Sequence, residues 1–99
     1  MKIKEKDEGG SLWLNIEGKL DALSCEQCRD AILKAFRKNK SIVLNMERVP
    51  YISSAALSVL ISGKKTADSK KGRLIVINPQ PLVRDTLRVT GFDKLLDIR

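Results

Sequence analysis

The stretch Val49–Leu60, which reads VPYISSAALSVL, decides how this chain folds. An unbroken apolar run, Ile42–Leu44, comes before it and predicts a buried strand. Within and after the stretch, Leu57, Leu60 and Ile61 have the i, i+3, i+4 spacing of one helix face. The two serines ahead of them suit a helix start, because a serine hydroxyl accepts a bond from a first-turn amide. We therefore predict a strand, a short loop and a helix headed by serine.

The N-terminal half predicts a hairpin and a helix. Ile3 lies in an alternating charged segment that predicts a short edge strand, and Gly9-Gly10 predicts the turn after it. The alternation over Leu12–Ile16 is typical of a half-buried strand. Ser24 and Gln27 have the spacing of a capping box, so we expect a helix from there to about Lys38.

The C-terminal half continues with alternating helices and strands. We expect the serine-headed helix to run from about Ser54 to Thr66, with a polar loop over Asp68–Gly72. Leu74–Ile77 predicts a second buried strand. Pro81 suits the first turn of a third helix that stops at Gly91, and Leu95–Ile98 predicts a last short strand.

The order of elements is therefore β-β-α-β-α-β-α-β, which defines the fold class. Alternation of this kind predicts an α/β fold with right-handed crossovers and a mostly parallel sheet of four to five strands. The N-terminal β-hairpin is the antiparallel part. With 99 residues, we expect one domain over residues 1–99.

Composition limits the chemistry that the chain can perform. It has no histidine, which excludes a histidine-based triad or metal site, and we expect no cofactor and no metal. The N-terminus has no apolar segment of the secretory type and no apolar run spans a bilayer, so we expect a cytoplasmic protein without membrane insertion. The basic residues behind the net charge of +7 are scattered along the chain, which indicates that they mainly lie at solvated helix ends. Binding of an acidic protein partner and binding of nucleic acid are the alternative roles for them. We expect no direct contact with nucleic acid.

Cys25-Glu26-Gln27-Cys28 is the motif that points toward catalysis. A C-x-x-C at a helix start is typical of thiol–disulfide oxidoreductases. Both cysteines, however, lie on the apolar stripe of the helix with Ile32 and Phe36, which favours core packing. We therefore expect a protein that is not an enzyme, and keep the thiol enzyme as the alternative from another class.

Several stretches together resemble the STAS domain of bacterial anti-sigma factor antagonists. They are Gly18–Ala22, Ile42–Met46, Val49–Leu60, Gly72–Asn78 and Leu87–Ile98. The resemblance implies β-α units wound in a right-handed superhelix with helices mainly on one side of the sheet. It also implies that the chain binds an anti-sigma factor, often a serine protein kinase with an ATPase-type fold, and so frees a sigma factor. In that family the kinase reverses binding by phosphorylating a serine at the start of the second helix.

The chain departs from the family motif at that helix start. The usual motif is Asp-Ser-Ser-Gly-Leu, in which the second serine accepts the phosphate, whereas this chain has Ser53-Ser54-Ala55-Ala56-Leu57. Ala55, which has no hydroxyl, stands at the acceptor position, and Asn45 stands where an aspartate is common. Two hypotheses follow: either Ser54 or Ser53 is a shifted acceptor, or the domain is a binding module without the switch.

The resemblance also predicts where a partner binds. We expect the surface to centre on the helix start, with a contribution from the loop after the preceding parallel strand. Its predicted residues are Asp21, Tyr51, Ile52, Ser53, Ser54, Ala55, Ala56, Leu57 and Ser58. The main alternative function is a STAS subunit of a lipid-transport or other complex. For the oligomeric state we expect a monomer or weak dimer.

Overall fold

A five-stranded sheet forms the frame of the computed structural model, which describes residues 1–99. The strands lie in the order β1-β2-β3-β4-β5; β1 and β2 form an antiparallel hairpin and every other neighbouring pair is parallel. This confirms the predicted fold class. The elements are β1 (Lys2–Glu8), β2 (Ser11–Glu17), α1 (Cys25–Lys38), β3 (Ser41–Arg48), α2 (Ser54–Ser69), β4 (Arg73–Ile77), α3 (Pro81–Val89), a short 3₁₀ turn (Phe92–Lys94) and β5 (Asp97–Ile98).

All three helices cover the same face of the sheet. Each connects two adjacent parallel strands, and the crossovers step across the sheet in one direction, so right-handed connections bring the helices to one side. The core lies between these two layers as one cluster of 24 buried residues. Leu14, Leu44 and Val76 are its central strand residues, and α1, α2 and α3 supply the rest from their apolar stripes.

Two element boundaries differ from the sequence prediction. Helix α2 continues to Ser69, three residues beyond Thr66, so the predicted loop is shorter; Lys64 Nζ donates to Asp68 Oδ1 at 2.9 Å across the added turn. The last strand is only Asp97–Ile98, because the chain after Gly91 first forms the 3₁₀ turn. Gly91 ends α3 as predicted, with φ of 78°, a left-handed conformation that glycine adopts without strain.

The predicted capping box at the start of α1 is wrong. The Ser24 hydroxyl makes no cap bond; it donates to the carbonyl of Lys19 at 2.6 Å. Gln27 Nε2 donates instead to the carbonyl of Met1 at 3.3 Å. The loop before the helix uses the Ser24 side chain and the N-terminus uses that of Gln27, neither of which spacing along the chain reveals.

Candidate functional site

The loops that follow β2 and β3 are joined at the carboxyl edge of the sheet. Leu20 and Ile52 form an isolated parallel bridge. The N–H of Leu20 donates to the carbonyl of Tyr51 at 3.0 Å, and the N–H of Ser53 donates to the carbonyl of Leu20 at 2.8 Å. Because this bridge extends the pairing of the two strands, it holds the segment ahead of α2 in a defined position.

The two serines occupy different positions at the start of α2. Ser53 is the N-cap, with extended backbone, and its hydroxyl accepts a bond from the N–H of Ala56 at 3.4 Å. Ser54 is the first residue of the helix and its side chain is exposed. The cap therefore occupies the Ser53 hydroxyl and leaves the Ser54 hydroxyl facing solvent.

The predicted binding segment divides into an exposed part and a buried part. Ile52, Ala56 and Leu57 are buried in the core, so they hold the segment in place from beneath. The side chains of Tyr51, Ser54 and Ser58 are exposed, and those of Ser53 and Ala55 are half-buried. Only the exposed and half-buried side chains are available to a partner.

Asp21 stabilises the loop that leads into α1. Its Oδ1 accepts bonds from the N–H of Leu23 at 3.0 Å and of Ser24 at 3.2 Å, and also from the Ser24 hydroxyl at 3.2 Å. These bonds, led by the one from the Ser24 backbone, hold the pKa of the carboxyl below its usual value of 3.8. The carboxylate is thus engaged within its own turn.

Sequence reasoning missed two exposed apolar side chains at the same edge. Leu23, in the loop after β2, is 95% exposed, and Leu82, in the first turn of α3, is 61% exposed. Leu82 is out of phase with the buried stripe of Val83 and Leu87, which is the one sequence signal that would have found it. Leu23 precedes α1 in the turn held by Asp21, whose Oδ1 accepts a bond from its N–H, and this turn leaves the Leu23 side chain exposed.

The two cysteines lie in the core, as the apolar stripe predicts. Both are free thiols and Cys28 is fully buried. Burial, with a smaller contribution from neighbouring Cys25, raises the pKa of Cys28 from 9.0 to about 12. A reactive thiol needs the opposite shift and solvent access, so this arrangement opposes the thiol-enzyme alternative.

Two further features of the structure bear on function. No three histidine, cysteine, aspartate or glutamate side chains lie together in a group that could hold a metal ion. None of the helices is long and apolar enough to pass through a membrane.

The fold and this edge define an α/β domain that displays the serine-headed start of its second helix beside exposed apolar side chains. The STAS domain family model matches residues 2–99, so the chain belongs to the STAS domain family.

Named relatives support the same assignment. A Bordetella bronchiseptica protein called BtrV, provisionally described as an anti-sigma factor antagonist, is 28% identical over 93% of this chain and 80% of its own length. The anti-sigma F factor antagonist of Paenibacillus polymyxa is 24% identical over 99% of this chain and 86% of its own. Among solved structures, the anti-sigma factor antagonist SpoIIAA in its unphosphorylated form is 22% identical and superposes with a TM-score of 0.82, covering 99% of this chain and 88% of that one. At that identity the likeness shows the fold alone.

Proposed function

We propose that this protein is an anti-sigma factor antagonist that binds an anti-sigma factor through the carboxyl edge of its sheet. The observation that carries the proposal is the exposed serine at the start of α2, in a chain whose STAS match extends from residue 2 to residue 99. The names of the Bordetella and Paenibacillus relatives support the same role. The partner in this proposal is a serine protein kinase with an ATPase-type fold, and both proteins act in the cytoplasm.

The carboxyl-edge surface in this proposal consists of Leu23, Tyr51, Ser54, Ser58 and Leu82. Protein interfaces combine a few large apolar anchors with a polar surround. Leu23, Tyr51 and Leu82 are the exposed anchors, each on a loop or first turn after a parallel strand. Because the carboxyl ends of parallel strands meet at one edge, these anchors lie at the same edge as Ser54 and Ser58.

Phosphorylation of Ser54 is the switch in this proposal. A phosphate adds roughly −1.5 to −2 charge, and the start of a helix tolerates it because free N–H groups and the helix dipole favour an anion there. On Ser53 the same group would displace the hydroxyl that caps the helix, so the geometry favours Ser54. The added charge would lie among the apolar anchors. A partner that covers the anchors would then have to remove water from the phosphate, which weakens binding.

The kinase and the acceptor are tested together with intact-mass analysis. The purified protein is incubated with lysate of its source organism and ATP, then recovered with whatever it has bound. We expect capture of an ATPase-fold kinase and a gain of one phosphate. Ser54→Ala should abolish the gain of phosphate, and Ser53→Ala should not. The Ser54→Asp variant should then capture less kinase than Ser54→Ala.

The other outcomes separate the parts of the proposal. Capture of the kinase without phosphorylation would mean that Ala55 marks a lost switch in a plain binding module. Loss of phosphorylation in Ser53→Ala alone would move the acceptor to Ser53. Capture of transporter subunits instead of an anti-sigma factor would overturn the proposed function in favour of a STAS subunit of a transport complex.

A further inference from the structure

The face of the sheet opposite the helices has no covering layer. The helices α1, α2 and α3 all pack on one face of β3 and β4, although Val43 and Ile75 on the other face are also buried. On the other face Trp13, Val43 and Ile75 are direct neighbours in the strand register, Trp13 opposite Val43 and Val43 opposite Ile75. We call these three residues, with Ile77 beside them, the open-face row.

The open-face row is separate from the main core. Val43 is 6% exposed and Ile75 is 7% exposed, but neither belongs to the core cluster of 24 residues. Trp13 and Ile77 are half-buried. An apolar row across three central strands with no element over it is unusual for a sheet face that only meets water, where strands alternate with polar residues.

A ladder of amide side chains runs alongside the open-face row. Asn45 Nδ2 donates to Asn15 Oδ1 at 2.9 Å, and Asn78 Nδ2 donates to Asn45 Oδ1 at 3.2 Å. The ladder borders a groove of about 290 Å³ that Lys2 and Lys4 line from the side of β1. Because the amides bond to one another, they give the groove a polar floor of fixed shape.

Unpaired lysines dominate the charge at one side of this face. Lys2, Lys4 and Lys6 alternate along β1 and lie opposite Glu17, Asn15 and Trp13 in the register, so all three are on the open face. None of them takes part in an ion pair, whereas Lys38 pairs with Glu5 on the helix side. Four carboxylates share this face: Glu17 pairs with Arg48 at 3.8 Å and Asp97 with Arg99 at 3.2 Å, whereas Glu8 at the end of β1 and Glu47 in the groove lining form no ion pair.

We infer that the open face binds a second protein through an extended, carboxylate-rich segment with apolar residues between its acids. The segment would lie along β1, where its acids would meet the three lysines and its apolar residues would cover the exposed parts of Trp13 and Ile77. This is the usual combination of an apolar centre, a tryptophan anchor and complementary charge at the rim. The site is on the opposite side of the sheet from the helices and needs no part of the carboxyl-edge surface.

The lysines disfavour an antiparallel second copy on this face, and the shortage of aromatic residues disfavours single-stranded nucleic acid. A second copy packed face to face with antiparallel strands would set the β1 lysines of one molecule against those of the other, which is repulsive. Single-stranded nucleic acid uses several aromatic side chains for successive bases, and Trp13 is the only aromatic residue on these strands. An acidic protein segment satisfies both the lysines and the apolar row.

Fluorescence of Trp13 tests the inference directly, because it is the only tryptophan in the chain. The protein is titrated with a short synthetic peptide in which glutamate alternates with valine, and with a control peptide in which lysine replaces glutamate. We expect the acidic peptide to shift the emission of Trp13 and its affinity to fall as NaCl rises. The double variant Lys4→Glu/Lys6→Glu should weaken binding about tenfold, from the loss of two charge contacts.

Each contrary result has a definite meaning. Equal binding of both peptides, no binding of the acidic one, or no effect of the double variant would overturn the inference. Tighter binding of oligothymidylate than of the acidic peptide would assign the face to nucleic acid. A dimer in sedimentation that the neutral variant Lys4→Gln/Lys6→Gln strengthens would assign it to a second copy. Ser54→Asp should leave the Trp13 titration unchanged, and the double variant should leave kinase capture unchanged, so this inference and the proposed function fail separately.

Discussion

Helices α1 and α2 both begin at the carboxyl edge of the sheet. Each has, near its start, a pair of side chains of a type that can react or be modified. At the start of α1 these are Cys25 and Cys28, which face the core. At the start of α2 they are Ser53 and Ser54, of which one caps the helix and the other faces solvent. The helix dipole is similar at both places, so the dipole alone does not make a helix start functional.

Burial decides the difference between the two helix starts. The dipole at the start of α1 would favour a thiolate and lower the pKa of a cysteine. Desolvation nevertheless raises the pKa of Cys28 to about 12, so the cost of burying the charge exceeds the attraction of the dipole. At α2 the same edge leaves Ser54 hydrated, and there an added charge is tolerated.

The largest expected effect concerns the reactivity of Cys28. A rise in pKa from 9.0 to about 12 lowers the thiolate fraction roughly 1000-fold at a given pH, because each unit is a factor of ten. We expect iodoacetamide to label Cys28 of the native Cys25→Ala variant up to about 1000-fold more slowly than that of the same variant in urea, because burial still raises its pKa after Cys25 is removed. Intact-mass measurement over time follows the reaction. Labelling rates within a factor of about ten of each other would remove the contrast with Ser54 and reopen the thiol-enzyme alternative.

The two serines of α2 should differ in their effect on stability. Ser53→Ala removes the N-cap bond to Ala56 and should lower the free energy of unfolding by about 1 kcal/mol. Ser54→Ala is the matched control and should change it by less than about 0.5 kcal/mol, because its exposed side chain is not part of the cap. Urea denaturation of both variants measures the difference. The reverse order of the two effects would assign the cap to Ser54 and leave Ser53 as the free hydroxyl.

The smallest expected effect concerns Asp21, whose carboxylate is in contact with water and screened. Its pKa is lower in the folded protein than its usual 3.8, so the stabilisation is present above that pH and is lost as the pH falls through the folded value. Asp21→Asn should therefore lower the urea midpoint near neutral pH. The difference in urea midpoint between this variant and the parent protein should disappear in acid. Asp30→Asn, at an exposed position on α1, is the control and should show no such closing gap. A gap for Asp21→Asn that stays constant from neutral pH to acid would mean that its hydrogen bonds, not its charge, hold the loop.

Periodicity predicted most of the fold because it depends on local patterns. The alternation of Leu12, Leu14 and Ile16 and the apolar stripe of α1 both match the structure. Boundaries were less accurate where the deciding contact is made by side chains across a turn, as with Lys64 and Asp68 at the end of α2. The capping box failed because Ser24 and Gln27 have partners in Lys19 and Met1 that their spacing does not indicate.

The sequence predicted the local structure of the candidate site but not which of its side chains are exposed. The segment after β3 was correctly predicted as a loop leading into a serine-headed helix. Which of its side chains reach solvent depends on the bridge between Leu20 and Ile52, a contact between residues distant in sequence. Leu23 was missed because its exposure depends on the turn held by Asp21, whereas the exposure of Leu82 follows from its position on α3, out of phase with Val83 and Leu87.

The sequence by itself determined the order of strands and helices, the serine-headed start of α2 and the membership in the STAS family, because each of these depends on short-range patterns. The tertiary structure alone decided that Ser53 caps the helix while Ser54 is exposed, that burial raises the pKa of Cys28 to about 12, and that Trp13, Val43 and Ile75 form a row on the sheet face that has no helices. Exposure, desolvation and cross-strand register are relations between residues far apart in the chain. They take definite values only once the sheet and its single layer of helices have assembled.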